Sequence, residues 1–69
     1  MAVEKSIDLT ATGATIEAAV EEAVHRASLT IKGLTRFEVE NIEGLIDAGE
    51  VTYRVRVRVD FIIKERVHE

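Results

Sequence analysis

Residues 3–10 alternate, with Val3, Lys5, Ile7 and Leu9 set against Glu4, Ser6, Asp8 and Thr10. Period two predicts a strand with one half-buried face, weakened at Lys5. Thr10-Ala11-Thr12-Gly13 reads as a turn, and Thr12 or Thr15 can cap the element that follows. From Ala14 to Ile31 the period becomes helical. Ile16, Ala19, Val20, Ala23, Val24, Ala27 and Ile31 form one apolar stripe, and Glu17, Glu21, Glu22, His25, Arg26 and Ser28 fall opposite it. Acidic residues come early and basic ones later, which suits the helix dipole. Gly33 is the expected C-cap. The stripe is mostly Ala, so a neighbouring element must approach closely.

Thr35 to Ile42 predicts a second strand, with Phe37 and Val39 on one face and Arg36, Glu38 and Glu40 on the other. Glu43 to Gly49, with Gly44, Asp47 and Gly49, reads as a hairpin connection. Glu50 to Glu65 predicts a long third strand. Val51, Tyr53, Val55, Val57, Val59, Phe61 and Ile63 share one face, and Thr52, Arg54, Arg56, Arg58, Asp60 and Lys64 share the other. Charge suggests the hairpin register. With Val39 opposite Val57, Glu38 faces Arg58, Glu40 faces Arg56 and Arg36 faces Asp60, all opposite in sign. A shift of two residues would set Arg36 against Arg58.

The order strand, helix, strand, strand is an α+β pattern. A right-handed crossover would make the first two strands parallel if adjacent, while the last two form an antiparallel hairpin, so strand order stays open. Element lengths bear on assembly. A strand over 50–65 spans roughly 50 Å at about 3.3 Å per residue. A helix over 14–31 spans only about 27 Å at 1.5 Å per residue. One helix cannot cover that apolar face, so the surplus must curl around it or be buried by other subunits. Ile62, among polar neighbours, suggests a second contact.

Composition narrows the classes. At 69 residues the chain is one domain, 1–69, without Cys, Pro, linker or repeat. A core this small usually needs disulfides, metals or partner subunits, and oligomerisation is the support still open. Hydrophobic residues are 46% and charged residues 32%, a globular balance. The net charge of −4 argues against a general nucleic-acid binder. No apolar run approaches a membrane span. Met1-Ala2-Val3-Glu4-Lys5 has no signal-peptide core, and a cytoplasmic location is the expectation. No nucleophile lies beside a base, so the expectation is a protein that is not an enzyme.

Several segments in order resemble the dodecin family. They are Leu9-Thr10 leading to Ala18-Ala19 and Ala23-Val24-His25-Arg26-Ala27, then Phe37-Glu38-Val39, Ile42-x-Gly44-x-Ile46, and Tyr53 leading to Val57-x-Val59-x-Phe61. The resemblance implies a three-stranded antiparallel sheet wrapped around one helix, and a hollow homododecamer of cubic symmetry. It places the second strand at the sheet edge remote from the first. It also implies a shell that binds or stores a small ligand, in this family a flavin such as riboflavin or FMN. Flavin-binding dodecins stack the ring on a Trp and hydrogen-bond its polar edge with a Gln. Here those positions are Arg36 and Arg54. The family's Gly-Thr-Ser turn is Ala11-Thr12-Gly13, one residue shorter before the helix.

Both replacements change the chemistry expected. An aromatic pair contributes about 0.5–1.5 kcal/mol beyond area burial, which Arg does not reproduce. Gln donates and accepts, whereas Arg only donates. Arginines at both positions point to a phosphate, a carboxylate or another anion. They also resemble the calcium-binding branch of the dodecins, although Arg itself cannot ligate calcium. The bland alternative pairs Arg36 and Arg54 with Asp60 or Glu40. The ribbon of Arg54, Arg56 and Arg58 reads as cross-strand pairing with Glu38 and Glu40 rather than a nucleic-acid surface, since no aromatic residues interleave. Neither Glu17, Glu21 and Glu22 nor Glu43, Asp47 and Glu50 has EF-hand spacing. Of the two histidines, His25 and His68, neither has a nucleophile beside it, and Glu65 to Glu69 reads as a frayed tail. The expectation is a small-ligand shell taking a flavin in an altered mode, an anionic cofactor or calcium. Its rival is a purely structural oligomer or adaptor.

Overall fold

The computed structural model describes Ala2–Lys64. Strand β1 (Ala2–Gly13) leads to helix α1 (Ile16–Thr30), then to strands β2 (Leu34–Asp47) and β3 (Glu50–Lys64). The order across the sheet is β1-β3-β2, and both pairings are antiparallel. The central strand is therefore the one with the longest uninterrupted alternation. The helix carries the chain from one edge of the sheet to the other, so β1 and β2 run in the same direction but are not neighbours. The expected tail, with His68, lies outside the described residues.

Two strands run longer than their sequence suggested. Thr10-Ala11-Thr12-Gly13 is strand, paired with Arg56, Val55, Arg54 and Tyr53, not a turn. The segment 43–47 is likewise strand, paired with residues 50–54 of β3. The turn itself is Ala48-Gly49, with φ of 52° and 83°. Both central residues are left-handed, as a tight type I′ hairpin requires.

The missing piece is a bulge. Val39 pairs with Val57 and Asn41 with Arg56, so Glu40 is the extra residue. Before it, odd-numbered Phe37 and Val39 share the apolar face. After it, even-numbered Ile42, Gly44 and Ile46 take that face, opposite Val55, Tyr53 and Val51. A second irregularity at Thr35 keeps both Leu34 and Phe37 on the apolar side.

Helix α1 lies on the apolar face, mainly against β1 and β3. Thr15 caps it, its Oγ1 accepting from the Ala18 N–H at 3.0 Å. The helix ends at Thr30, where the Ile31 N–H still donates to the Ala27 carbonyl at 3.0 Å. Gly33 is not the C-cap. Its positive φ brings it under Ile62, whose N–H donates to the Gly33 carbonyl at 3.1 Å. Glu17 stands in the first turn, but no basic residue stands in the last. Ala19, Ala23 and Ala27 are fully buried against Val55, Val57 and Val59, and Ile7, Leu9, Ala11, Val20 and Leu34 flank them. Small residues on α1 are what allow this approach. At Gly13 the contact is so close that a Cβ would stand 2.7 Å from the Ala19 nitrogen.

The core is short and the sheet is long. The subunit measures 62 × 19 × 13 Å. Beyond the helix the apolar face lies open, with Phe37 48%, Val51 52% and Ile46 79% exposed.

Candidate functional site

The polar face of the sheet carries the candidate ligand residues. Period two aims Arg54, Arg56, Arg58 and Asp60 of β3 away from the helix, while β1 contributes Asp8, Thr10 and Thr12. Strand β2 contributes Arg36, Glu38, Asn41 and Glu43, with Glu40 on its bulge.

Arg36 donates to Asp60 through Nη1 at 2.7 Å, and its Nη2 lies 4.0 Å from Glu38. Asp60, only 8% exposed, is the one buried charged residue among those described. Arg54 donates to Glu43 Oε1 through Nε at 2.8 Å and Nη2 at 2.7 Å. Arg58 lies between Asp8 at 3.2 Å and Glu40 at 3.0 Å. The Asp8 hydrogen bond, then the nearby Glu40 charge, push its guanidinium pKa further up.

The two sequence candidates are therefore both ion-paired, and one subunit does not bring them together. Arg36 sits beside Asp60, and Asp60 and Arg54 lie roughly 20 Å apart along β3 at about 3.3 Å per residue. The expected pair of Glu40 with Arg56 is loose, at 3.6 Å, because the bulge turns Glu40 toward Arg58 as well. Asn41 is the residue opposite Arg56. The Asp8 partner of Arg58 was not legible while strand order was open.

What surrounds Arg54 is an open polar concavity of about 340 Å³, lined by Thr10, Asn41, Glu43, Arg54, Val55 and Arg56. A larger groove of about 570 Å³ lies between β1 and α1, but its charged residues, Glu22 and Arg26, pair with each other at 2.8 Å. Among the described residues no three His, Cys, Asp or Glu side chains cluster to hold a metal, and no helix is long and apolar enough to cross a membrane. His25 is exposed on α1, its carbonyl accepting from Ser28 Oγ at 2.6 Å.

One helix seated on a longer three-stranded antiparallel sheet defines a class: a small α+β subunit with an apolar face open beyond its own core. A family model described as Dodecin matches residues 3–64. A dodecin of Thermus thermophilus is 38% identical over 65 residues, covering 91% of this chain and 94% of its own. The chain belongs to the dodecin family. The crystal structure of an arginine-to-alanine mutant of T. thermophilus dodecin matches with a TM-score of 0.87 at 36% identity, over 94% of this chain and all of that one. A calcium-chelating immunodominant antigen of Mycobacterium tuberculosis, a calcium dodecin with a novel calcium-binding site, matches with a TM-score of 0.79 at 32% identity. That match covers 97% of this chain and 96% of the other.

Proposed function

We propose that this chain is the subunit of a homododecameric shell that binds and stores a small ligand. The observation that carries the reading is the apolar face running past the helix. Val3, Phe37, Val39, Ile42, Ile46, Val51 and Ile63 are all exposed in the isolated subunit. Apolar strips of this extent mark association sites. In such a shell a ligand site is shared between subunits, which is the one way Arg36 and Arg54 can face the same molecule. A flavin bound there does without the stacking Trp and the Gln. Calcium, the ligand named for the M. tuberculosis relative, needs carboxylates from several subunits meeting at an axis. An anionic cofactor uses the arginines directly.

A second reading, a structural oligomer without a small ligand, is favoured by the ion pairs that already occupy Arg36 and Arg54. One set of measurements separates the two. Sedimentation gives the size, flavin fluorescence follows riboflavin and FMN titrations, and calorimetry follows calcium and inorganic phosphate. A dodecamer with saturable binding of any one ligand supports the storage shell. A dodecamer indifferent to flavins, calcium and anions supports the structural oligomer, and a stable monomer removes both readings.

A further inference from the structure

The sheet's polar face can be read row by row. Arg58 has Asp8 on one side and Glu38 on the other, and Arg54 has Thr12 and Glu43. Asp60 has Ser6 and Arg36. Arg56 alone has no acid in its row: Thr10 lies on one side and Asn41 on the other. The bulge causes this, because it removes Glu40 from the position opposite Arg56 and installs the neutral Asn41.

Arg56 makes no side-chain hydrogen bond to the described residues, and neither do the side chains of Thr10 and Asn41. Its one ion-pair contact is Nε to Glu40 Oε1 at 3.6 Å, beyond hydrogen-bond range, while Glu40 Oε2 serves Arg58 at 3.0 Å. All three side chains line the polar concavity, with Arg54 beside them and Glu43 held by Arg54.

We propose that Thr10, Arg56 and Asn41 form a binding site for a phosphate-type anion, either free phosphate or the phosphate monoester of a cofactor. The guanidinium fork presents two parallel N–H donors to two oxygens of a tetrahedral anion. The Thr10 hydroxyl and the Asn41 amide flank it as neutral donors. Arg54, paired with Glu43, borders the site, and Glu40 is the competitor the anion must displace. This deepens the small-ligand reading and rests on it.

The test uses the intact assembled protein at low ionic strength. Calorimetry with inorganic phosphate measures the site itself, and FMN against riboflavin measures the same phosphate carried on a cofactor. Saturable phosphate binding is expected, weakened about tenfold or more by R56Q, as loss of charge-assisted hydrogen bonds predicts. E40Q tightens it by removing the competing carboxylate, and R26Q, on the helix, leaves it unchanged. FMN binding more tightly than riboflavin, with the difference lost in R56Q, assigns the site to a cofactor phosphate. Phosphate binding without an FMN preference assigns it to a free anion. Phosphate affinity unaltered in R56Q and E40Q overturns the proposal. So does riboflavin binding with no phosphate binding, an outcome that leaves the storage shell standing.

Discussion

Gly13 has no room for a side chain. With the Ala19 nitrogen 2.7 Å from where a Cβ would stand, G13A must push α1 away from the sheet. Overpacking of this kind costs about 1–3 kcal/mol, and urea unfolding should show a loss in that range. Arg36 and Asp60 make the other residue-scale prediction. R36Q leaves a buried carboxylate without its cation, and a loss of about 2 kcal/mol is expected in the same assay. The Arg36–Asp60 and Glu38–Arg58 pairings were legible in the sequence because alternation fixed the faces and opposite charges fixed the register. For Arg58 the sign is that of a raised pKa. Its contribution is complete while the guanidinium of the unfolded chain is still charged, and fades only as pH rises beyond that range. Arg58 therefore gives stability no slope between neutral and moderately alkaline pH, and unfolding midpoints of wild type and R58Q should run parallel there.

The elements were legible where one period ran without interruption. Strand β3 keeps one phase throughout, and its start at Glu50 followed from that. Strand β2 changes phase at Glu40, so Ile42 and Ile46 looked out of step with Phe37 and Val39, and Gly44 and Asp47 then passed for turn residues. The end of β1 was lost for a different reason: Gly13 is a poor strand former and passed for a turn residue, whereas the close approach of α1 requires it there. The helix was read correctly in its Ala stripe, and of the two caps offered, Thr12 and Thr15, it uses Thr15; it ends at Thr30 without the glycine cap expected of Gly33. At the hairpin tip Ala48 adopts a φ of 52°, a conformation Asn tolerates better. A48N should therefore stabilise the protein by about 0.5–1 kcal/mol, measurable as a higher unfolding midpoint.

Across the whole molecule, a single helix covers the middle of a 62 Å subunit and leaves apolar surface at both ends. The length mismatch between helix and third strand was legible from residue counts alone. The surface that would bury that excess was not, because it is not a property of one chain's pattern. Arg36 and Arg54 illustrate the limit: within the subunit they pair with Asp60 and Glu43 and lie far apart along the sheet. Ile46, 79% exposed at the hairpin arm, is the sharpest probe of association. I46D should shift the species seen by mass photometry to smaller sizes at equal concentration. An unchanged oligomer would remove that arm from the contact.

The Glu40 bulge also decides where this chain can lose a residue. Shortening β2 by one residue within its regular stretches inverts every side chain beyond the cut. Removing Glu40 instead leaves Val39, Asn41 and Ile42 in unbroken alternation, so apolar side chains stay inward on both sides of the join. What disappears is the extra local twist a bulge imposes and the carboxylate shared by Arg56 and Arg58. Glu40 is thus a point at which related sequences can differ in length while keeping the same two faces.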